Sequence, residues 1–359
     1  MQPRCDCFDL PHHAEHIQSG DAFELFVGVA AADELREVPL IDGHNDLPYQ
    51  YEERVKDHLA QIDIRQDQSK LTPPLHTDIP RLRQGRLGAQ FWSVYVPTSL
   101  KGADAVRAVL EQVDVVHRLD EMYPDTFELA RTADDVVRIH HSGKIASLIG
   151  VEGGHSIGNS LAVLRQLYAN GARYMTITHS DNTDWADSAT DNPIHNGLTP
   201  FGKLVIAEMN RLGMLVDLSH VAPKTMHDVL DVAVAPVIFS HSSARALVDH
   251  ARNVPDDVLR RLKDNDGVVM VSFVTSFSSE KVRARDAAKD VEEARLKALY
   301  RGQPEKVKAL LAQWESANPA PRATVHDVAD HIDHVVQIAG VEHVGLGSDF
   351  DGITTTPEG

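Results

Sequence analysis

Eight short apolar runs, with helical patterns between most of them, constrain this sequence more than any other feature. They are 38–42 (VPLID), 90–96 (QFWSVYV), 145–151 (IASLIGV), 173–178 (RYMTIT), 214–218 (MLVDL), 237–240 (VIFS), 268–273 (VVMVSF) and 344–347 (VGLG). The runs are nearly continuous rather than alternating, as strands buried on both faces of a parallel sheet are. Between them, 103–119 repeats Ala105, Val106, Val109, Val113 and Val116 near the helical period. Segments 161–169 and 202–211 are similar. Segment 325–339 carries Val325, Val328, Ala329, Ile332, Val335, Val336 and Ala339, with Thr324 as N-cap and Gly340 as the residue after the helix. Strand alternating with helix eight times predicts an α/β fold, a (β/α)8 TIM-type barrel, with a doubly wound sheet as the alternative. A chain of 359 residues, 42% of them hydrophobic, has the material for one such core.

Two departures from a minimal barrel stand out. Residues 275–322 are rich in Lys, Arg, Glu and Ala and read as an insertion of exposed helices after the seventh strand. The chain ends at Gly359, soon after the eighth strand, so the expected C-terminus is short and closure of the barrel is left open.

The charge of -18, from 35 Lys+Arg against 53 Asp+Glu, argues against a nucleic-acid partner, because like charges repel. Only two cysteines are present, Cys5 and Cys7, which excludes a disulfide framework for the rest of the chain. With His12, His13 and His16 they match no zinc spacing, so residues 1–37 are expected to form an arm of uncertain order. The apolar stretch 26–32 is short and follows acidic Asp21 and Glu24, unlike a secretory signal. No run approaches the roughly 18 apolar residues of a spanning helix. A cytoplasmic protein without a membrane anchor is expected.

The strongest functional signal is where the polar residues fall. His44 and Asp46 follow the first run, Glu152 the third, His179 the fourth, His220 the fifth, His241 the sixth and Asp349 the eighth. In a barrel the C-terminal ends of all strands open into one mouth. Any one of these residues has a plain alternative reading, a hydrogen-bonded core histidine or a helix-terminal carboxylate. Chance would scatter such residues over both ends of the strands, yet all fall at one end. Imidazole and carboxylate are ordinary ligands of divalent metals. His44 and Asp46, two apart, share one face of an extended strand. A carboxylate bridging two cations roughly 3.5–4 Å apart would suit metal-assisted hydrolysis of an amide or ester.

The motifs DGHNDLP, GVEGGH, THSDNTDWADS, VDLSH, SHSSARAL, RNVPDDVL and GLGSDFDG, in that order from about residue 38 to about 352, resemble the membrane (renal) dipeptidase family, peptidase family M19 of the amidohydrolase superfamily. The resemblance implies a metal-dependent hydrolase barrel over 38–359 with two Zn²⁺ per chain. It implies His44 and Asp46 as ligands of the first metal, His220 and His241 of the second, and Glu152 as the bridge. It makes His179 the histidine that touches substrate and stabilises the tetrahedral intermediate, and Arg252 the grip on the substrate's C-terminal carboxylate. Asp349 becomes the acid/base residue that carries a proton from the attacking water to the leaving amine. The implied activity is hydrolysis of dipeptides through a metal-bridging hydroxide; a homodimer is also implied. Other binuclear amidohydrolases, acting on N-acyl amino acids or lactams, and an inactive truncated metal-binding relative are the rival readings. Trp185 and residues 181–191 are a candidate loop over the site. His326, His331 and His334 receive no role.

Overall fold

Nine parallel strands form one sheet in the computed structural model, which describes residues 35–359. They are β1 (Leu40–Asn45), β2 (Leu87–Tyr95), β3 (Phe127–Leu129), β4 (Ile145–Glu152), β5 (Ala172–Thr176), β6 (Leu215–Asp217), β7 (Val237–Phe239), β8 (Val268–Val271) and β9 (Val344–Leu346). β2 pairs with β4, successive strands pair from β4 to β9, and β1 pairs with both β9 and β2. Eight strands therefore close on themselves, which decides for the TIM barrel over the doubly wound sheet. Each of the eight apolar runs contributes one of them. β3 pairs with the first three residues of β4, Phe127 opposite Ile145 and Leu129 opposite Ser147, and lies outside the closed cycle.

Helices α1 (Leu47–Val55) and α2 (Ile79–Gln84) follow β1, α3 (Gly102–Met122) follows β2 and α4 (Ala133–His141) follows β3. Next come α5 (Leu161–Ala169), α6 (Pro200–Leu212), α7 (Pro223–Val232) and α8 (Asp256–Asn265), one after each of β4 to β7. Between β8 and β9 lie α9 (Thr275–Ser278), α10 (Glu280–Leu299), α11 (Pro304–Ala317) and α12 (Val325–Ile338). The charged segment is thus the α10–α11 pair, joined by the Lys289–Glu315 ion pair and by the Arg285 guanidinium over the Trp314 ring. Thr324 caps α12 as expected: its hydroxyl accepts from the Asp327 N–H, while the Asp327 carboxylate accepts from the Thr324 N–H. Among the described residues no helix is long and apolar enough to cross a membrane. The expectations for residues 1–34, the two cysteines included, fall outside the described residues.

The barrel interior is closely filled. Every residue of β4 is buried. The Tyr174 ring occupies the space beside Gly150, where a Cβ would overlap it. Between β4 and α3, the Trp92 indole donates to the Ser147 hydroxyl (3.1 Å), which donates to Asp120 Oδ1 (2.6 Å). Asp120 Oδ2 is buried without a partner among the described residues. Burial lifts the Asp120 carboxyl to about 7, against the pull of the Ser147 bond. A carboxyl raised from its ordinary 3.8 contributes stability that is full below that value and is lost as pH rises through about 7. Asp120→Asn keeps an acceptor for Ser147 and carries no charge. It should gain Tm over the wild type near pH ~8, and much less near pH ~4, close to the carboxyl's ordinary 3.8. Thermal melts at both values test this; the same pH dependence in both proteins would refute it.

Candidate active site

The chain places its titratable residues just where the strands end. His44 is the fifth residue of β1, Asp46 follows that strand, and Glu152 closes β4. His179, His220, His241 and Asp349 lie two or three residues beyond β5, β6, β7 and β9. Asp46, Glu152, His179, His220, His241 and Asp349 line one cleft of about 350 Å³, together with Tyr49, Gln50, Glu53 and Tyr95. His44 lies beneath it, fully buried. His220 and Asp349 both hold left-handed backbone conformations, φ 67° and 65°. Such conformations cost energy in residues other than glycine, and they aim these two side chains into the mouth.

Glu152 is the hub. Its Oε1 lies 3.1 Å from His220 Nε2, 3.5 Å from His179 Nε2 and 3.6 Å from His241 Nε2. Its Oε2 lies 3.5 Å from His44 Nε2 and accepts the Ser93 hydroxyl at 3.0 Å. Burial would raise the Glu152 carboxyl, but His44, His179 and the His220 bond outweigh it and hold it well below the ordinary range. Burial would likewise lower His44; Tyr174, Glu152 and Asp46 outweigh it and hold the imidazole well above its usual value. His220 and His241 are pushed the other way, first by burial and then by neighbouring positive groups that include Arg252. Asp349 is raised well above 3.8, by burial first and the Asp46 charge second.

These donors fit divalent cations. His44 Nε2 is buried with no hydrogen-bond partner among the described residues, 3.4 Å from Asp46 Oδ2. His220 and His241 turn their Nε2 atoms toward each other at 3.0 Å. Neutral imidazoles hold that arrangement only by sharing a proton or a cation. Three overlapping triads can each converge on one point: His44–Glu152–His241, Glu152–His179–His220 and His44–Asp46–Asp349. They share residues, so proximity alone does not divide the seven into two ligand sets.

A family model described as membrane dipeptidase (peptidase family M19) matches residues 30–359. The chain belongs to the membrane dipeptidase family. It is 41% identical over 336 residues to dipeptidase verJ of Clonostachys rogersoniana, a match covering 90% of this chain and 75% of that protein. Among solved structures, dipeptidase AC, a metallopeptidase of family M19, superposes with a TM-score of 0.71 at 25% identity, over 89% of this chain and 87% of that one. A metallopeptidase from Rhodobacter sphaeroides, liganded with a phosphinate mimic of the dipeptide L-Ala-D-Ala, shares the fold with a TM-score of 0.71 at 24% identity, over 89% and 88% of the two chains.

In this family member Arg252 is buried, and among the described residues its guanidinium has no carboxylate partner. It donates to the His241 carbonyl (3.3 Å) and the Ser242 hydroxyl (3.4 Å) and lies 5.3 Å from the Phe277 ring centroid. Burial lowers it to about 10. His331, given no role by sequence, braces the loop that carries Arg252: it accepts from the Ala244 N–H and faces the Ser278 carbonyl.

Trp185 does not cover the site. It is fully buried, in edge contact with Phe201, because the 181–191 loop turns its one large apolar side chain into the core. Sequence reasoning also missed the support beneath the histidines. Asp217 is buried and accepts from the hydroxyls of Thr176 (2.5 Å) and Ser240 (2.7 Å) and from the N–H groups of Ser219 and Ser240. Ser240 Oγ in turn meets His241 Nδ1 at 2.8 Å. On the other side Asp42 accepts from the Ser348 hydroxyl and N–H, fixing the turn that leads to Asp349. Two carboxylates next to histidine-bearing turns, in VDLSH and LIDGHND, were the available signal.

Proposed function

We propose that this family member is a zinc-dependent dipeptidase whose two cations are held by His44, Asp46, Glu152, His220 and His241. Bound cations would supply Lewis acidity, a water of lowered pKa, and positive charge that offsets the carboxylates packed around Asp349. The protein's own groups do the rest. Glu152 offers one oxygen to each half of the histidine cluster. His179, on the open side of the cleft and anchored by the Ser180 hydroxyl (3.1 Å), is the donor for the charge that develops on the carbonyl oxygen. Asp349 takes a proton from the attacking water on its carboxylate oxygen and hands it to the departing amine.

Arg252 carries the substrate assignment. A buried guanidinium with no carboxylate partner is costly unless an anion completes it, and a peptide C-terminus does so with two parallel hydrogen bonds. A free carboxylate close to the reacting bond restricts the substrate to very short peptides. The phosphinate dipeptide mimic in the Rhodobacter sphaeroides neighbour fits this reading.

Arg252→Ala should lower kcat/KM for free dipeptides roughly 10–100-fold, the worth of a charged hydrogen-bonded pair. C-terminally amidated dipeptides should be cleaved poorly by both proteins. Assays of zinc-loaded enzyme against free and amidated L-L and L-D dipeptides test this. Equal wild-type activity on amidated substrates would sink the role. Hydrolysis of N-acyl amino acids without dipeptide hydrolysis would redirect the reading to another amidohydrolase. Zinc as resident metal and a homodimeric assembly belong to the same proposal, for elemental analysis and sedimentation to test.

A further inference from the structure

The ring of Tyr174 runs through the barrel interior and ends with its hydroxyl 2.9 Å from His44 Nδ1 and 3.3 Å from the Gly43 carbonyl oxygen. Its position leaves little freedom. The side chain is fully buried, Gly150 leaves it room by having no Cβ, and Phe91 packs on it at 4.9 Å.

A phenol has one proton and can also accept. The Gly43 carbonyl can only accept. When the phenol proton goes to Gly43, the phenol oxygen accepts from His44 Nδ1–H. The Nε2 lone pair then points toward Asp46 Oδ2 and Glu152 Oε2, 3.4 and 3.5 Å away. The opposite arrangement puts a proton on Nε2, where a cation would need the lone pair. The same device recurs across the cleft, where Ser240 gives its proton to Asp217 and faces His241 Nδ1.

We infer that Tyr174 is a positioning residue that holds His44 in the Nδ1–H tautomer and so presents Nε2 to the metal. The inference rests on the reading that His44 is a metal ligand. A partner on the far nitrogen fixes both ring orientation and tautomer, and losing such a partner costs about 10–100-fold in metal affinity.

The test is zinc affinity of the full chain, by competition with a chromophoric chelator, for four proteins. Tyr174→Phe keeps the ring and should weaken binding about 10–100-fold. Phe91→Leu loosens the packing around the ring and keeps the hydroxyl; it should lower Tm and leave zinc affinity at the wild-type value. His44→Ala should bind more weakly than Tyr174→Phe. Histidine ¹⁵N spectra of the zinc-loaded protein should show an exchange-protected Nδ1–H at His44 in the wild type and not in Tyr174→Phe. Wild-type zinc affinity in Tyr174→Phe, or equal weakening in Phe91→Leu, overturns the inference while leaving His44 as ligand. Wild-type affinity in His44→Ala overturns both the inference and the ligand assignment.

Discussion

Glu152→Gln is expected to lose at least one metal and nearly all activity. The carboxylate sits between two groups of histidines and meets each with a different oxygen. Oε1 faces His220, His179 and His241, and Oε2 faces His44 and the Ser93 hydroxyl. Glutamine is nearly isosteric but has one oxygen. In either orientation it turns an N–H₂ group toward one side of the cluster, where a cation would be expected, and it removes the negative charge that Asp46 alone cannot replace. Binding should weaken by about 100-fold or more at one site, and kcat should fall by roughly 10²–10³ or more. The fold should survive, because the amide still fills the same volume and can accept from Ser93. Elemental analysis of the dialysed variant, beside melts of the metal-free proteins, checks both halves. A variant with wild-type metal content and wild-type turnover would remove Glu152 from the centre.

The barrel and the mouth of this site were legible because both are repeated patterns. Eight apolar runs repeat the strand signal, and the polar residues that follow them repeat the site signal, so an error at one position does not spoil the whole. The insertion was legible for a similar reason: a long charged, helix-prone stretch cannot enter a buried sheet. β3 was not legible, since Phe-Glu-Leu is too short to show a period. Tyr174 reads as one more core aromatic in an apolar run. Only the closed barrel brings its hydroxyl to a residue 130 positions away. Asp217 is a like case, with Thr176 and Ser240 as partners on two neighbouring strand ends that sequence cannot bring together. Trp185 was misread because its polar neighbours suggest a surface loop. The indole area gained by burial outweighs that context.

Asp349→Asn separates two roles that proximity leaves open. Asp349 forms one candidate triad with His44 and Asp46, which would make it a ligand. Its carboxyl is also raised well above 3.8, by burial first and by the Asp46 charge second, as suits a group that holds and releases a proton. Asparagine is the right probe because the position is left-handed, at φ 65°. Asparagine tolerates that region better than most residues, so the Asp349 N–H can keep its bond to the His44 carbonyl (3.1 Å). If Asp349 moves protons, the variant keeps its metals and KM changes little. In that case kcat drops about 10²–10⁴-fold, the usual worth of general acid–base catalysis. The sign of the pH effect follows. A base must lose its proton before it can act, so wild-type activity rises with pH through the Asp349 pKa. The variant should lack that acid limb. Loss of metal together with activity would instead make Asp349 a ligand and leave the proton to another group. Retention of metal, activity and the acid limb would remove it from both roles.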